Sequence, residues 1–138
     1  MNKYLIDTCV IIDLLRGKSK ISPVIFEKGA SINVITLSEL YYGANKSNNF
    51  DKSMKQLGGL ISDFDLEIIG LDENASKVFG KLKSDLETKG QRLDDMDLFI
   101  ASTAISENMI LVTSNTKHFV RIKNLTVISP SKDNLVLD

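Results

Sequence analysis

The sequence predicts an α/β fold with a central, mainly parallel sheet of four to five strands flanked by helices. Short apolar runs without polar alternation recur along the chain, as expected of strands that are covered on both faces. Longer segments with helical spacing separate these runs, as the connections of a parallel sheet require. The length of 138 residues and the hydrophobic content of 43% suit one core. We therefore predict a single domain over residues 1–130 and a C-terminal tail over 131–138.

The boundaries of the elements follow from apolar spacing, capping residues and glycine stops. The predicted strands cover residues 4–6, 32–35, 66–69, 109–113 and 125–128. The predicted helices cover residues 9–15, 23–28, 36–44, 48–63, 73–89 and 95–107. Ser22 and Asp72 are the predicted caps of the second and fifth helices. Because Thr36-Leu37-Ser38-Glu39 fits the capping-box pattern, Thr36 is the predicted cap of the third helix.

The charge balance excludes a general attraction to polyanions. Seventeen basic and eighteen acidic residues give a net charge of -1 and a pI near 5.8, so a polyanion would need a local patch or a bound cation. The single cysteine, Cys9, has no partner for an internal disulfide and is predicted to be a small buried apolar residue. The apolar run at the N-terminus carries aspartates, and no run is long enough to span a bilayer. These features predict a cytoplasmic protein without membrane association.

Acidic residues lie near the ends of the predicted strands, where parallel sheets bind ligands. Asp7 ends the first strand, Glu39 lies beyond the second, and Asp97 begins the helix that leads into the fourth. Thr113 and Asn115 lie at the end of the fourth strand. These segments are predicted to meet at one edge of the sheet.

Each acid also has a structural explanation of its own. Asp7 can cap the first helix, the capping box accounts for Glu39, and Asp97 can stabilise the helix dipole. Together, however, like charges at about 4 Å repel by roughly 4 kcal/mol per pair at an effective dielectric near 20. No arginine or lysine adjoins them in the sequence, so a divalent cation is the expected counter-charge. Oxygen-only ligands favour Mg²⁺ or Mn²⁺ over zinc, and such an ion activates water for phosphodiester hydrolysis.

Three segments resemble the PIN-domain family, and in particular the VapC-type toxins of type II toxin-antitoxin systems. They are IDTCVIIDLL, ITLSELYYGA and LDDMDLFIASTAISENMILVTSNTKHFVRI, and the resemblance runs from about Lys3 to Ser129. It implies a PIN-like three-layer fold and a Mg²⁺- or Mn²⁺-dependent endoribonuclease that cleaves RNA when released from its antitoxin. It also implies a homodimer, with Tyr41 and Tyr42 packing at its surface, and a hetero-oligomer with a cognate VapB-type antitoxin.

The resemblance assigns roles to four residues. Asp7, Glu39 and Asp97 match the first three acids of the family and are the predicted catalytic residues and metal ligands. Asn115 is the fourth predicted catalytic residue, at a position where many PIN domains carry an acid. It can orient a water molecule but brings no charge.

Three further residues are predicted to contact these acids without binding the metal ion themselves. They are Thr8, Thr113 and Asp94, the last preferred over Asp95 because it shares a helix face with Asp97.

RNA contacts are predicted for basic residues that flank the crevice. Arg16, Lys117 and Arg121 are the candidates, with Lys18 and Lys20 close to the first of them. Lysines on helix surfaces are often merely solvated, and salt-dependent binding would distinguish the two roles.

Two other functions are compatible with parts of the pattern. A catalytically inactive PIN-like module that binds RNA or protein would explain why Asn115 replaces an acid. A Mg²⁺-dependent phosphoryl-transfer domain, such as a receiver or an aspartyl phosphatase, also gathers acids at strand ends. The third predicted strand lacks the terminal aspartate of a receiver, and Asp7 lacks the second aspartate of the phosphatase pattern. His118 is interpreted either as a surface residue or as an RNA contact.

Overall fold

The computed structural model describes residues 3–18 and 20–131, which contain one five-stranded sheet in the order β3-β2-β1-β4-β5. Every neighbouring pair of strands is parallel, which confirms the predicted sheet. The strands are β1 (Tyr4–Ile6), β2 (Ala30–Asn33), β3 (Glu67–Ile69), β4 (Ile110–Val112) and β5 (Val127–Ile128). The helices are α1 (Thr8–Leu15), α2 (Pro23–Glu27), α3 (Val34–Lys46), α4 (Phe50–Asp63), α5 (Glu73–Thr88), α6 (Asp95–Ser106) and α7 (Thr116–Phe119).

Helices cover both faces of the sheet, as the residues of β1 demonstrate. Tyr4 and Ile6 belong to a hydrophobic cluster that includes residues of α1 to α4, whereas Leu5 belongs to a second cluster formed with α5, α6 and α7. All three side chains are fully buried. Since successive strand residues point to opposite faces, a strand buried on both sides reads as a continuous apolar run. The three-layer arrangement is therefore confirmed.

The end of β2 differs from the prediction. The strand stops at Asn33, and α3 begins at Val34 rather than at Thr36. Asn33 is the cap, since its side chain accepts a hydrogen bond from the Ile35 N–H at 2.6 Å. The expectation that Thr36 caps this helix was wrong. Asn is at least as good an N-cap residue as Thr, and Asn33 lies three residues earlier in the chain, where it accepts the hydrogen bond of the Ile35 N–H.

Other helix ends follow the predictions more closely. Asp72 caps α5 by accepting a hydrogen bond from the Ala75 N–H at 2.9 Å. Ser22 holds the cap position of α2, but its hydroxyl makes no capping hydrogen bond. Glycines with positive φ follow α1, α2 and α5: Gly17, Gly29 and Gly90. Helix α7 was missed, because one turn is too short to show periodicity; it places Phe119 in the core.

The carboxyl edge of the sheet carries the polar residues of interest. The register aligns Ile6 of β1 with Val112 of β4, and the Asp7 N–H donates to the Val112 carbonyl at 2.9 Å. Asp7 and Thr113 therefore leave the sheet side by side. Within the described ranges, no helix is long and apolar enough to cross a membrane. The predicted tail lies outside the described residues from position 132 onward.

Candidate active site

Asp7 is fixed by hydrogen bonds to both carboxylate oxygens. Its side chain is only 3% exposed. Oδ1 accepts from the Thr8 N–H at 2.8 Å, and Oδ2 accepts from the Thr113 hydroxyl at 2.7 Å. Asp7 thus caps α1 and is tied to β4, so its structural and its predicted functional roles coexist in one side chain. Thr113 lies directly behind Asp7, where the sequence predicted a supporting residue.

Glu39 is held by a threonine pair that joins α1 to α3. The Thr8 hydroxyl oxygen lies 2.7 Å from Glu39 Oε1 and 3.0 Å from the Thr36 hydroxyl oxygen. A carboxylate can only accept, so Thr8 donates its one proton to Glu39 and can accept the proton of Thr36. Thr36 is fully buried and therefore supports the site instead of capping a helix. Its spacing in the sequence suggested the cap, and no local pattern indicated the contact with Thr8.

Cys9 was predicted to be a small buried apolar residue; it packs against the hydrophobic core as a partly buried side chain, and its thiol also makes polar contacts. The half-buried thiol donates to Asp7 Oδ2 at 3.3 Å, and its sulfur lies 3.6 Å from the Thr113 hydroxyl oxygen. Burial and the adjacent charge of Asp7 raise the pKa of the Cys9 thiol. The thiol therefore keeps its proton and acts as a further donor to Asp7.

Asp97 lies in the first turn of α6, half-buried and facing other acids. Burial, and after it the charges of Asp7, Asp94 and Glu39, raise its pKa from 3.8 to about 6. The nearby His118 lowers this pKa. Because these charges act on one carboxyl group, the acids predicted to converge do share one region of the molecule.

The raised pKa of Asp97 predicts how stability depends on pH in the presence of EDTA. Between 3.8 and about 6, the folded protein binds this proton more tightly than the unfolded chain does. The free energy of unfolding contributed by Asp97 therefore falls as the pH rises through this window. Urea unfolding of the wild type and of Asp97→Asn should give a gap that grows from near zero at about pH 4 to about 1 kcal/mol at about pH 7. A gap that is equal at both pH values would contradict the assignment.

The residues around Asp97 and at the end of β4 differ in the contacts that their side chains make. Asp94 occupies the cap position of α6 without a side-chain capping bond, and it remains exposed near Asp97. Asp95 instead forms an ion pair with Lys83 at 3.0 Å, which joins α6 to α5. Asn115 precedes α7 with an exposed side chain that makes no capping hydrogen bond, so its amide is available to a ligand.

The basic residues predicted to contact RNA are placed differently from one another. Arg16 and Lys117 are exposed, and Arg16 lines a cavity of ≈ 230 Å³ together with Glu39. Arg121 is half-buried, and its guanidinium lies 3.5 and 3.4 Å from the carbonyl oxygens of Gln91 and Arg92. Arg121 thus contacts the loop before α6, whereas Arg16 shares a cavity with Glu39.

The arrangement of the acids limits the kind of divalent metal ion that they could hold. Among residues 3–18 and 20–131, no three His, Cys, Asp or Glu side chains lie close enough together to enclose an ion. Mg²⁺, however, retains several waters and is usually held by one or two carboxylates together with substrate phosphates. An open group of oxygen donors, in which Asp7 is already oriented and the pKa of Asp97 is raised by burial and by the neighbouring acids, fits such a hydrated ion. One or two of Asp7, Asp97 and Glu39, together with water and substrate phosphates, would hold it.

Fold and site together define a three-layer α/β protein with a group of carboxylates at the carboxyl edge of a parallel sheet. The sequence profile of the family described as "PIN domain" matches residues 4–125. The chain belongs to the PIN-domain family, among its VapC-type members.

The relatives agree in sequence and in structure. The chain is 42% identical over 95 residues to "Ribonuclease VapC2" of Rickettsia felis, covering 69% of each chain. It is 32% identical over 130 residues to "tRNA(fMet)-specific endonuclease VapC" of Salmonella typhimurium, covering 92% of this chain and 97% of the relative. A solved structure of VapBC2 from Rickettsia felis, bound to a DNA fragment from the promoter, contains a chain with a TM-score of 0.86 and 32% identity. That match covers 93% of this chain and 98% of the solved one.

Proposed function

We propose that the protein is a metal-dependent endoribonuclease and the toxin of a VapBC-type toxin-antitoxin pair. The observation that carries the proposal is the convergence of Asp7, Glu39 and Asp97, from three separate segments, in a region where burial and the neighbouring acids raise the pKa of Asp97. Perturbed pKa values of this kind cluster at functional sites. The ribonuclease and endonuclease names of the relatives support RNA as the substrate.

The chemistry divides between the metal and the residues of this chain. When bound, Mg²⁺ or Mn²⁺ supplies Lewis acidity, which lowers the pKa of the attacking water and neutralises charge on the leaving oxygen. Asp7 is locked in place by Thr8 and Thr113, so it is oriented before the ligand arrives. The exposed amide of Asn115 can donate to or accept from a water or a phosphate.

The chain itself offers cations for holding RNA. Arg16 beside Glu39 and Lys117 beyond Asn115 can contact backbone phosphates, with Arg121 further along. Each such contact would make binding weaker as the salt concentration rises.

The proposed partner is a VapB-type antitoxin in the cytoplasm. The solved relatives that are complexes of VapB with VapC support this assignment. Tyr41, Tyr42 and Phe50 are 42%, 68% and 44% exposed. They leave an apolar surface on α3 and α4 for another chain, either the antitoxin or a second copy in a homodimer.

Glu39→Gln removes the negative charge of the second acid while keeping its hydrogen bond to Thr8. The amide oxygen of Gln can still accept from the Thr8 hydroxyl, so we expect the fold and its melting temperature to be retained. The negative charge is lost, and we expect cleavage to fall by about 100-fold or more, because the metal then lacks one carboxylate. Cleavage rate and thermal unfolding measured on the same preparation would check both expectations. Cleavage at the wild-type rate would return Glu39 to a purely structural role.

The experiment that tests the proposed function is cleavage of a mixed pool of structured RNAs by antitoxin-free protein. Parallel reactions contain Mg²⁺, Mn²⁺ or EDTA, and Asp97→Asn is purified identically to reveal contaminating nucleases. Cleavage that needs both metal and Asp97 would establish the activity. Absence of cleavage under every condition, on RNAs that include all tRNAs, would refute it.

The replacement of an acid by Asn115 supports one second candidate, an inactive module that binds RNA. Such a module would retain RNA in a filter-binding assay, with the same affinity in the presence of metal and of EDTA, and would leave the RNA intact.

A further inference from the structure

Asn33 makes two buried hydrogen bonds at the end of β2, and they point to different helices. Its side chain is fully buried. Oδ1 accepts from the Ile35 N–H at 2.6 Å and caps α3, the helix that carries Glu39. Nδ2 donates to the Thr103 hydroxyl oxygen at 2.6 Å, and Thr103 belongs to α6, the helix that carries Asp97. One amide therefore connects the two helices that bear site acids.

The hydrogen-bonding partners leave this amide a single orientation. The fully buried Thr103 hydroxyl donates to the Phe99 carbonyl at 2.9 Å, so its oxygen has no proton left for Asn33 and can only accept. Nδ2 must therefore face Thr103, and Oδ1 must face the N–H of Ile35. A flipped amide would set a donor against a donor, which is costly in a buried position.

The connection joins two helices whose apolar side chains belong to different hydrophobic clusters. Leu40 of α3 belongs to the cluster on one face of the sheet, and Ile100 and Ala104 of α6 belong to the cluster on the other. Helices α3 and α6 also contact each other directly. The hydrogen bond adds a directional constraint to that contact, which apolar packing alone does not supply.

The two acids stand at matching offsets from this link. Glu39 follows Asn33 by six residues, and Asp97 precedes Thr103 by six residues, about 9 Å along a helix in each case. A small displacement at the link would therefore be transmitted along rigid helices to both carboxylates.

We propose that Asn33 and Thr103 are positioning residues that set the separation of Glu39 and Asp97 and thereby tune divalent-cation binding. This inference rests on the proposed function, since it concerns the same carboxylates. Neither residue touches the ion or the RNA. They act through the helices on which the acids are carried, as groups behind metal ligands do in other metal sites.

The test compares three variants of α6 by calorimetric titration of Mn²⁺ without RNA, with RNA cleavage as a second readout. Thr103→Val keeps the shape of the side chain and removes the acceptor for Asn33. Thr103→Ser keeps the acceptor. Ser102→Ala is the matched control, because the buried Ser102 hydroxyl donates within the helix to the Leu98 carbonyl, at 2.6 Å.

We expect Thr103→Val to weaken Mn²⁺ binding by about tenfold, and to raise the Mn²⁺ concentration for half-maximal cleavage equally, with the KM for RNA unchanged. Thr103→Ser should bind within about twofold of the wild type, and Ser102→Ala should bind like the wild type even where its melting temperature falls. Wild-type affinity in Thr103→Val would overturn the inference. So would equal weakening in Ser102→Ala, which would indicate general loosening of α6.

A second variant keeps the inference testable if Thr103→Val does not fold. Asn33→Ser retains an N-cap acceptor for the start of α3 and removes the amide donor to Thr103, and the same loss of Mn²⁺ affinity is expected. The proposed function fails separately: a wild-type protein that neither binds Mn²⁺ nor cleaves RNA would overturn that function and this inference with it. A wild type that does both, beside unaffected link variants, would overturn the inference alone.

Discussion

Asp97→Asn is expected to abolish RNA cleavage while raising the free energy of unfolding by about 1 kcal/mol at neutral pH in EDTA. The side chain is half-buried near Asp7, Asp94 and Glu39, and burial together with their charges raises its pKa to about 6. Removing a charge that the fold disfavours stabilises the protein, and the same removal takes away a proposed ligand for the cation. Stability and activity should therefore change in opposite directions, as is common where the groups of an active site destabilise the fold.

Asp95→Asn is the matched control for this prediction. Asp95 lies two residues away in the same helix but pairs with Lys83 in an exposed ion pair. Its loss should change stability by at most about 0.5 kcal/mol and leave cleavage intact. RNA cleavage by Asp97→Asn at the wild-type rate would remove Asp97 from the site. Loss of cleavage in Asp95→Asn would include Asp95 in it.

Asp7→Asn is expected to abolish cleavage as well, but with the opposite effect on stability. The variant can keep the cap, because Asn Oδ1 can accept the Thr8 N–H. Its amide nitrogen would replace the oxygen that now accepts from Thr113 and Cys9. The Thr113 hydroxyl would have to rotate and accept, and the Cys9 thiol would lose its acceptor in a nearly closed space, at a cost of about 1 to 3 kcal/mol. Urea unfolding and a cleavage assay on the same sample would measure both effects.

Asp13→Asn, in the same helix but outside this hydrogen-bond group, serves as the control for Asp7→Asn and should cleave RNA normally. An Asp7→Asn protein as stable as Asp97→Asn would mean that the Thr113 and Cys9 bonds contribute nothing to folding. An active one would remove Asp7 from the site.

The fold and the convergence of the acids could be predicted from the sequence because both follow from short stretches of residues. A strand such as Tyr4–Ile6, buried on both faces, must be apolar throughout, and helix ends such as those at Asp72 and Gly90 carry their own residue types. Asp7 and Asp97 were found because a parallel sheet collects the ends of its strands at one edge. That rule gives the neighbourhood of a side chain without giving its partners.

The partners depend on tertiary contacts that no local pattern records. Two capping signals overlap at the start of α3, and only the buried contacts decide that Asn33 caps while Thr36 supports Thr8. The link from Asn33 to Thr103 joins residues 70 positions apart. Cys9 is of a residue type that is common in protein cores. Its role as a donor follows only from its position beside Asp7.

The most direct test of a cation site at these acids is the pKa of the Asp97 carboxyl group, followed by carbon-13 NMR with and without saturating Mg²⁺. Without the ion, we expect a pKa of about 6. With it, the pKa should fall to about 4 or below, because a cation beside the group favours its charged form. The same raised pKa in both titrations would contradict a cation site at these acids, whereas the predicted fall would place the cation beside Asp97.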